Sequence, residues 1–269
     1  MNQLAQAFQR DMIKTYRKTI WSKFIKAIKE YRLLESGDTV AVAVSGGKDS
    51  LLMAALFREL ERHPVVPIKV HYIAMDPGYS DHSLARLKEN AQALDIPLVI
   101  RESNIFHVVE RIANDYPCYM CARMRRGFLY SAAQELGCNK LALGHHYDDI
   151  IETTMMSILF SGQVRTMIPK LPSENFDNME LIRPMSMVRE SEIIKIMKNN
   201  QIETMNCGCE IQVCSTSSKR QLVKKWIQDL AKDYPDIEQN IYKATENVDM
   251  DGIIGWIRNG ERKSRYQDE

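Results

Sequence analysis

Between Asp38 and Met185, short runs of apolar and often β-branched residues alternate with stretches of helical length. "TVAVAV" (39–44), "PIKVHYIAM" (67–75), "PLVIRES" (97–103), "KLALG" (140–144) and "ELIRPM" (180–185) read as strands. Helical patterns separate them, over 49–63, about 82–94, about 122–136 and 148–160. Strands joined through crossover helices pair in parallel, and a parallel sheet needs both faces covered. The expectation is an α/β fold with a Rossmann-like, parallel five-stranded sheet. With 269 residues, 45% of them apolar, the chain can build such a core, and wholesale disorder is excluded.

The flanks read differently. In residues 1–34, Phe8, Met12, Tyr16, Ile20, Phe24 and Ile28 recur every four positions, as on one face of a long helix. Arg10, Lys14, Arg17, Lys18, Lys23, Lys26, Lys29 and Arg32 fill much of the rest, either as a solvated face or as an arm that contacts phosphates. Beyond Met185 the strand signal stops. "RESEIIKIMKNN" reads as a capped helix, and two more are expected at about 216–233 and 236–258. The tail from Asn259 is polar and expected to fray, and "PSENFDN" (172–178) reads as a surface loop. The expected organisation is a basic helix (1–34), a nucleotide-type α/β domain (35–188) and a helical region (189–269). Net charge is +1, so any nucleic-acid surface must come from local clustering. No apolar run suits a signal peptide or a membrane span, so a cytoplasmic protein with reduced thiols is expected.

The strongest local motif is "AVAVSGGKDSLLM", a strand, a turn without side chains at its centre, and a helix. Backbone N–H groups at such a turn converge on an anion, and the helix dipole adds to them. Gly46 and Gly47 let the backbone approach phosphate oxygens. Lys48 can reach a phosphate, Ser45 and Ser50 can donate hydroxyls, and Asp49 stands where a magnesium ion would sit. The alternative is an ordinary strand-to-helix turn. The loop matches neither "GxxxxGK[ST]" nor "GxGxxG".

"LALGHHYDDIIETT" brings Gly144, His145, His146, Asp148 and Asp149 to the end of the fourth strand, the edge at which parallel sheets bind ligands. Helix capping needs one aspartate, not two. Met75 and Asp76 end the second strand on the same edge, where Met75 either lines an adenosine pocket or packs in the core.

"YPCYMCARMRRG" sets Cys118 and Cys121 at a helix start, with Arg123, Arg125 and Arg126 on that helix. Thiolates beside cations have lowered pKa values and can bind metal or attack sulfur. A second group, Cys207, Cys209 and Cys214, follows some way on, while Cys138 reads as a core thiol. An iron–sulfur cluster, structural zinc, a persulfide cycle and inert thiols all remain open at this point.

The loop "SGGKDS" after the first strand resembles that of the PP-loop ATP pyrophosphatases, and Lys48 is similar to the tRNA-thiolating branch. "PCxxCARMRRGFLY…LGxxKLALGHHxDD" resembles the TtcA family of tRNA 2-thiocytidine enzymes, over about residues 35–233. The related TtuA branch carries terminal zinc-finger cysteines, and residues 1–100 here contain none. The resemblance implies ATP and Mg2+ at Ser45, Gly46, Gly47, Lys48, Asp49, Ser50, Met75 and Gly144, with Lys48, Asp49 and Asp149 catalytic. It implies a [4Fe–4S] cluster on Cys118, Cys121 and a third cysteine, Cys209 by its spacing from Arg183, with Cys207 and Cys214 open. It further implies tRNA as substrate, bound in part by Arg123, Arg125 and Arg126, a sulfur donor (a cysteine desulfurase or sulfide) and a homodimer. The implied reaction adenylates the C2 carbonyl oxygen of cytidine 32 and replaces it with sulfur. Thiolation of a uridine, or a PP-loop ligase with a structural zinc, are the alternatives.

Overall fold

A computed structural model describes residues 2–103, 117–205 and 215–266, with side chains at all of these except 117–122 and 215–218. Its centre is a six-stranded sheet in the order β3-β2-β1-β4-β6-β5. The strands are β1 (Thr39–Ala43), β2 (Lys69–Asp76), β3 (Leu98–Glu102), β4 (Lys140–Ala142), β5 (Lys170–Pro172) and β6 (Glu180–Ile182). Five strands are parallel, as expected; β5 is an added antiparallel edge, paired Leu171 to Leu181. It was not expected because it is three residues long, ends in Pro172 and runs into the polar "PSENFDN" loop.

The period-two pattern of β1 divides the core. Val40, Val42 and Val44 enter one apolar cluster with α3 (Lys48–Arg62), whose Leu51, Leu52, Leu56 and Phe57 are fully buried. Ala41 and Ala43 enter the other, with Tyr130 and Ala133 of the Pro117–Glu135 helix. These small residues on β1 let that helix lie close.

The N-terminal segment is one stripe on three pieces of helix. Gln3–Ile13 and Ser22–Glu30 are α-helical, and Arg17–Trp21 between them is a π-turn. Apolar residues four apart drift about 40° per step around an ideal α-helix and would leave the core face within 20 residues. The wider turn, opened by the Tyr16 N–H donating to the Asp11 carbonyl at 2.8 Å, brings the stripe back into line. All six stripe residues are buried, and Phe24 meets Phe57 edge-on at 5.6 Å. The eight basic residues of the segment are all exposed.

The C-terminal region departs from expectation. After helices Glu190–Asn199 and Ser215–Asp233, the helix expected over 236–258 is only Ile237–Ala244. The tail forms a hairpin, Gly255–Arg258 against Glu261–Ser264, instead of fraying. Its turn is Asn259-Gly260, both with positive φ (53° and 81°), the geometry of a tight two-residue hairpin. Among the described residues no helix is long and apolar enough to cross a membrane.

Candidate active site

The turn after β1 is built by its own serines. The Ser45 N–H and hydroxyl both donate to Ser50 Oγ, at 3.0 and 3.1 Å, and Ser50 Oγ donates to the Gly47 carbonyl at 2.9 Å. Gly46 has φ +83°, and a Cβ there would stand 2.4 Å from Met205 Sδ. The left-handed φ favours glycine, and any side chain there would also force Met205 to move. The Met205 N–H donates to the Gly46 carbonyl at 3.0 Å, which ties the turn to the segment that follows the Glu190–Asn199 helix. Gly47 precedes α3 with no side-chain cap, which leaves the helix N-terminus open to an anion.

Gly144 carries the second motif against the first. A Cβ there would lie 3.1–3.2 Å from the Asp49 carbonyl group and the Ser50 nitrogen. The close approach brings the helix Tyr147–Ser161 beside α3. The His146 N–H donates to Asp149 Oδ2 at 3.0 Å and the Asp149 N–H donates to His146 Nδ1 at 3.3 Å, a reciprocal cap. Because His146 Nδ1 accepts, its Nε2 is the ring atom left for the carboxylates, 3.8 Å from Asp49 Oδ1 and 3.5 Å from Asp149 Oδ2. Asp148 turns away, accepting from the Glu190 N–H at 2.7 Å and pairing with Arg189 at 3.2 Å. The paired aspartates therefore divide their work: Asp148 caps the Glu190–Asn199 helix, and Asp149 faces the phosphate loop.

Charged side chains from four elements close into a ring. Lys48 meets Asp49 and Glu190, each at 3.1 Å. Glu190 pairs with Lys224, which lies 4.0 Å from Glu152. Arg220 joins Glu152 (3.4 Å) to Asp149 (2.8 Å), and His146 returns the ring to Asp49. Three cations face four carboxylates, and although burial leaves Glu152 partly protonated near neutral pH, Asp49 and Asp149 remain to suit a divalent cation. Asp49 Oδ1 is buried without a hydrogen-bond partner. Burial raises the Asp49 pKa above the ordinary value, and His146 and Lys48 only partly oppose this. Burial also works against ionised Asp149, but His146 and His145 outweigh it and lower its pKa. Lys48 is depressed by burial and raised more by Asp49 and Glu190, so it stays charged. Glu152 is pushed up by burial to about 7. Glu190, despite burial, is drawn down to about 2 by Lys224 and Lys48.

Ser45, Gly46, Gly47, Lys48, Asp49, Ser50, Gly144 and Asp149 are thus brought together. Met75 is buried at the end of β2, two strands from Gly144 in the sheet order. Cys118 and Cys121 belong to the first turn of the Pro117–Glu135 helix, three residues apart and so on one side of it, though their side chains lie outside the described ones. Cys207, Cys209 and Cys214 lie outside the described residues. Arg123 and Arg126 are exposed and Arg125 is half-buried. Cys138 is a buried free thiol, with its pKa raised by burial to about 11. Sequence reasoning missed Glu190, Arg220, Lys224 and Glu152. Glu190 opens a helix just beyond the carboxyl edge of β6 and Arg220 follows the second cysteine group, which are positional hints rather than motifs.

Residues 16–206 match the PP-loop domain family. The tRNA-cytidine(32) 2-sulfurtransferase of Citrifermentans bemidjiense is 36% identical over 226 residues, 83% of this chain and 88% of the relative. Those of Syntrophotalea carbinolica and Coxiella burnetii are 37% and 36% identical over 83% of this chain, 86% and 87% of the relatives. Among solved structures, the U34-tRNA thiolase NcsA from Methanococcus maripaludis, determined with its [4Fe-4S] cluster, aligns with a TM-score of 0.66 at 24% identity, over 84% of this chain and 76% of that one. That likeness concerns the fold.

Proposed function

Starting from the fact that the chain belongs to the PP-loop family and, within it, to the tRNA-cytidine(32) 2-sulfurtransferases, we propose that it is an ATP-dependent tRNA sulfurtransferase that converts a cytidine of the anticodon loop to 2-thiocytidine. The observation that carries this is the charge ring. It gathers Lys48, Asp49 and Asp149 at the carboxyl edge of the sheet, beside a glycine turn that leads into a helix with no side-chain cap.

In this reading the amides of Gly46 and Gly47 and the start of α3 hold the ATP phosphates, with the Ser45 and Ser50 hydroxyls alongside and Met75 beside the adenosine. Lys48 exchanges Glu190 for a phosphate when ATP enters. The unpartnered Asp49 Oδ1 fits Mg2+, with Asp149 as the second carboxylate. The C2 carbonyl oxygen of the base attacks the α-phosphorus, pyrophosphate leaves, and the oxygen is now part of an AMP leaving group. Fixed charge at Lys48 and positioning by the loop lower the barrier to that step. Sulfur then takes the place of the departing AMP oxygen at C2.

Cys118 and Cys121, side by side on the first turn of their helix, fit two ligands of a [4Fe–4S] cluster, with Cys209 as the third. When bound, that cluster would supply the sulfur, received as sulfide or, with a two-electron thiol reductant, from the persulfide of a cysteine desulfurase. Arg123, Arg125 and Arg126 on the same helix, and the exposed basic face of the N-terminal segment, offer cations to the tRNA phosphates. We place the enzyme in the cytoplasm, as a homodimer.

The test is reconstitution. Anaerobically purified protein with tRNA, ATP, Mg2+ and sulfide is expected to release AMP and pyrophosphate and to form 2-thiocytidine, and Cys118→Ser to form none. A thiouridine product would move the substrate. An amide product, with Cys118→Ser fully active, would replace thiolation with ligation.

A further inference from the structure

Arg183 follows β6 and is only 5% exposed. One terminal guanidinium nitrogen donates to the Ile168 carbonyl, and Nε has no hydrogen-bond partner. Among the described residues no carboxylate lies within ion-pair distance of it. Burial and Arg126 both disfavour its charge; Tyr130, a phenol that burial keeps protonated, and Asp149, which already bonds Arg220 and His146, are the groups that favour it. His145 occupies the same corner, in the fields of Arg126, Arg183 and Arg220, and its buried Nδ1 is also unpartnered. A buried cation without a counter-charge is costly, more so beside a second arginine. Arg126, Arg183 and Arg220 all act on His145, and the carboxylate that also acts on it, Asp149, is already bonded to Arg220 and His146, so the missing component is an anion. The planar guanidinium fork suits phosphate oxygens.

Sheet order indicates whose phosphate it is. Along the carboxyl edge stand Met75 on β2, the glycine loop on β1, His145 and His146 beyond β4, and Arg183 beyond β6. With adenosine toward β2 and its phosphates on the β1 loop, the β6 end is left for the other reactant. Arg126 joins this end from the helix that begins with the two cysteines. We propose that Arg183, Arg126 and His145 form a phosphodiester-binding corner that holds an RNA backbone phosphate next to the target base, between the phosphate loop and the cysteine helix. This rests on the tRNA reading and deepens it, by giving one corner, buried at Arg183 and open at Arg126, the task of fixing the base's register against Asp149.

The experiment measures the affinity of a tRNA transcript for the full-length, anaerobically purified protein over a salt series. The variants are Arg126→Gln at an exposed position, where folding is not at risk, and Arg183→Lys, which keeps the buried charge but loses the fork. Affinities for a non-hydrolysable ATP analogue and for pyrophosphate are measured in parallel. Each variant is expected to bind tRNA about tenfold more weakly, and Arg126→Gln to lower the slope of log affinity against log salt by about one unit, with both nucleotide arms within twofold of the wild type. Unchanged tRNA affinity in both variants overturns the proposal. So does a loss confined to pyrophosphate, which would make the corner a product site, or a loss of bound-cluster absorbance with tRNA affinity kept. A wild-type protein that binds no tRNA would instead overturn the tRNA reading itself.

Discussion

The two segments that flank the sheet are attached by different physics. The N-terminal segment is held by apolar burial: Phe8, Met12, Ile20 and Phe24 are at most 1% exposed and share one cluster with the sheet and α3. The C-terminal helices Ser215–Asp233 and Ile237–Ala244 share a small cluster of Ile151, Val223, Ile227 and Ile241 with a Tyr147–Tyr242 stack and tyrosine hydrogen bonds beside it, and depend besides on charge, at Arg220, Lys224 and the Arg189–Glu238 pair. Apolar burial is indifferent to what occupies the active site, whereas ion pairs to Asp149 and Glu190 are not. The first segment is scaffold; the second is tied to the chemistry, and it follows the second cysteine group.

This contrast can be broken from either side. The largest effect is expected from Phe24→Ala, which should cost about 3–5 kcal/mol in denaturant unfolding while the folded protein keeps its nucleotide affinity; a large loss of that affinity would make the N-terminal segment part of the site. Lys48→Ala comes next. It should lower kcat about 10²–10³-fold, read as pyrophosphate release, with little change in melting temperature. Arg220→Gln should do what Phe24→Ala does not, loosening the Ser215–Asp233 helix by roughly 1.5–3 kcal/mol and changing magnesium dependence as Asp149 loses its partner. Hydrogen exchange confined to that helix would show it, and unaltered exchange there would deny the ionic attachment.

The smallest effect is in pH. Glu190 lies at about 2 against an ordinary 4.5, so its contribution is present above 4.5 and is lost as pH falls toward 2. Its own side chain is largely buried, but its partners Lys48 and Lys224 reach solvent, so it should amount to about 1 kcal/mol. Glu190→Gln should lower the melting temperature slightly at neutral pH and converge with the wild type in acid; a gap that does not close would assign the contact to packing.

Much of the fold was legible because its signals are local. Alternation on β1 specified which valines and alanines face which layer, and "SGGKDS" and "GHHYDD" each carry their chemistry in consecutive residues. The "NG" turn at Asn259-Gly260 was equally local and would have revealed the hairpin, but polar composition drew the reading toward disorder. The four-residue stripe of the N-terminal segment contained its own correction, since no straight α-helix keeps such a stripe on one face. The charge ring was not legible. Lys48, Glu152, Glu190 and Arg220 come from four helices, and only the folded sheet edge brings them together. Nor could two adjacent aspartates be told apart before Asp148 was seen to cap the next helix.

The most direct test of the central claim is a mass-spectrometric nucleoside profile of tRNA from cells with the gene, without it, and with it restored as wild type, Lys48→Ala or Cys118→Ser. 2-Thiocytidine is expected to disappear without the gene, to return with the wild type, and to return with neither variant. An unchanged profile in cells lacking any redundant enzyme, or full restoration by both variants, would contradict it.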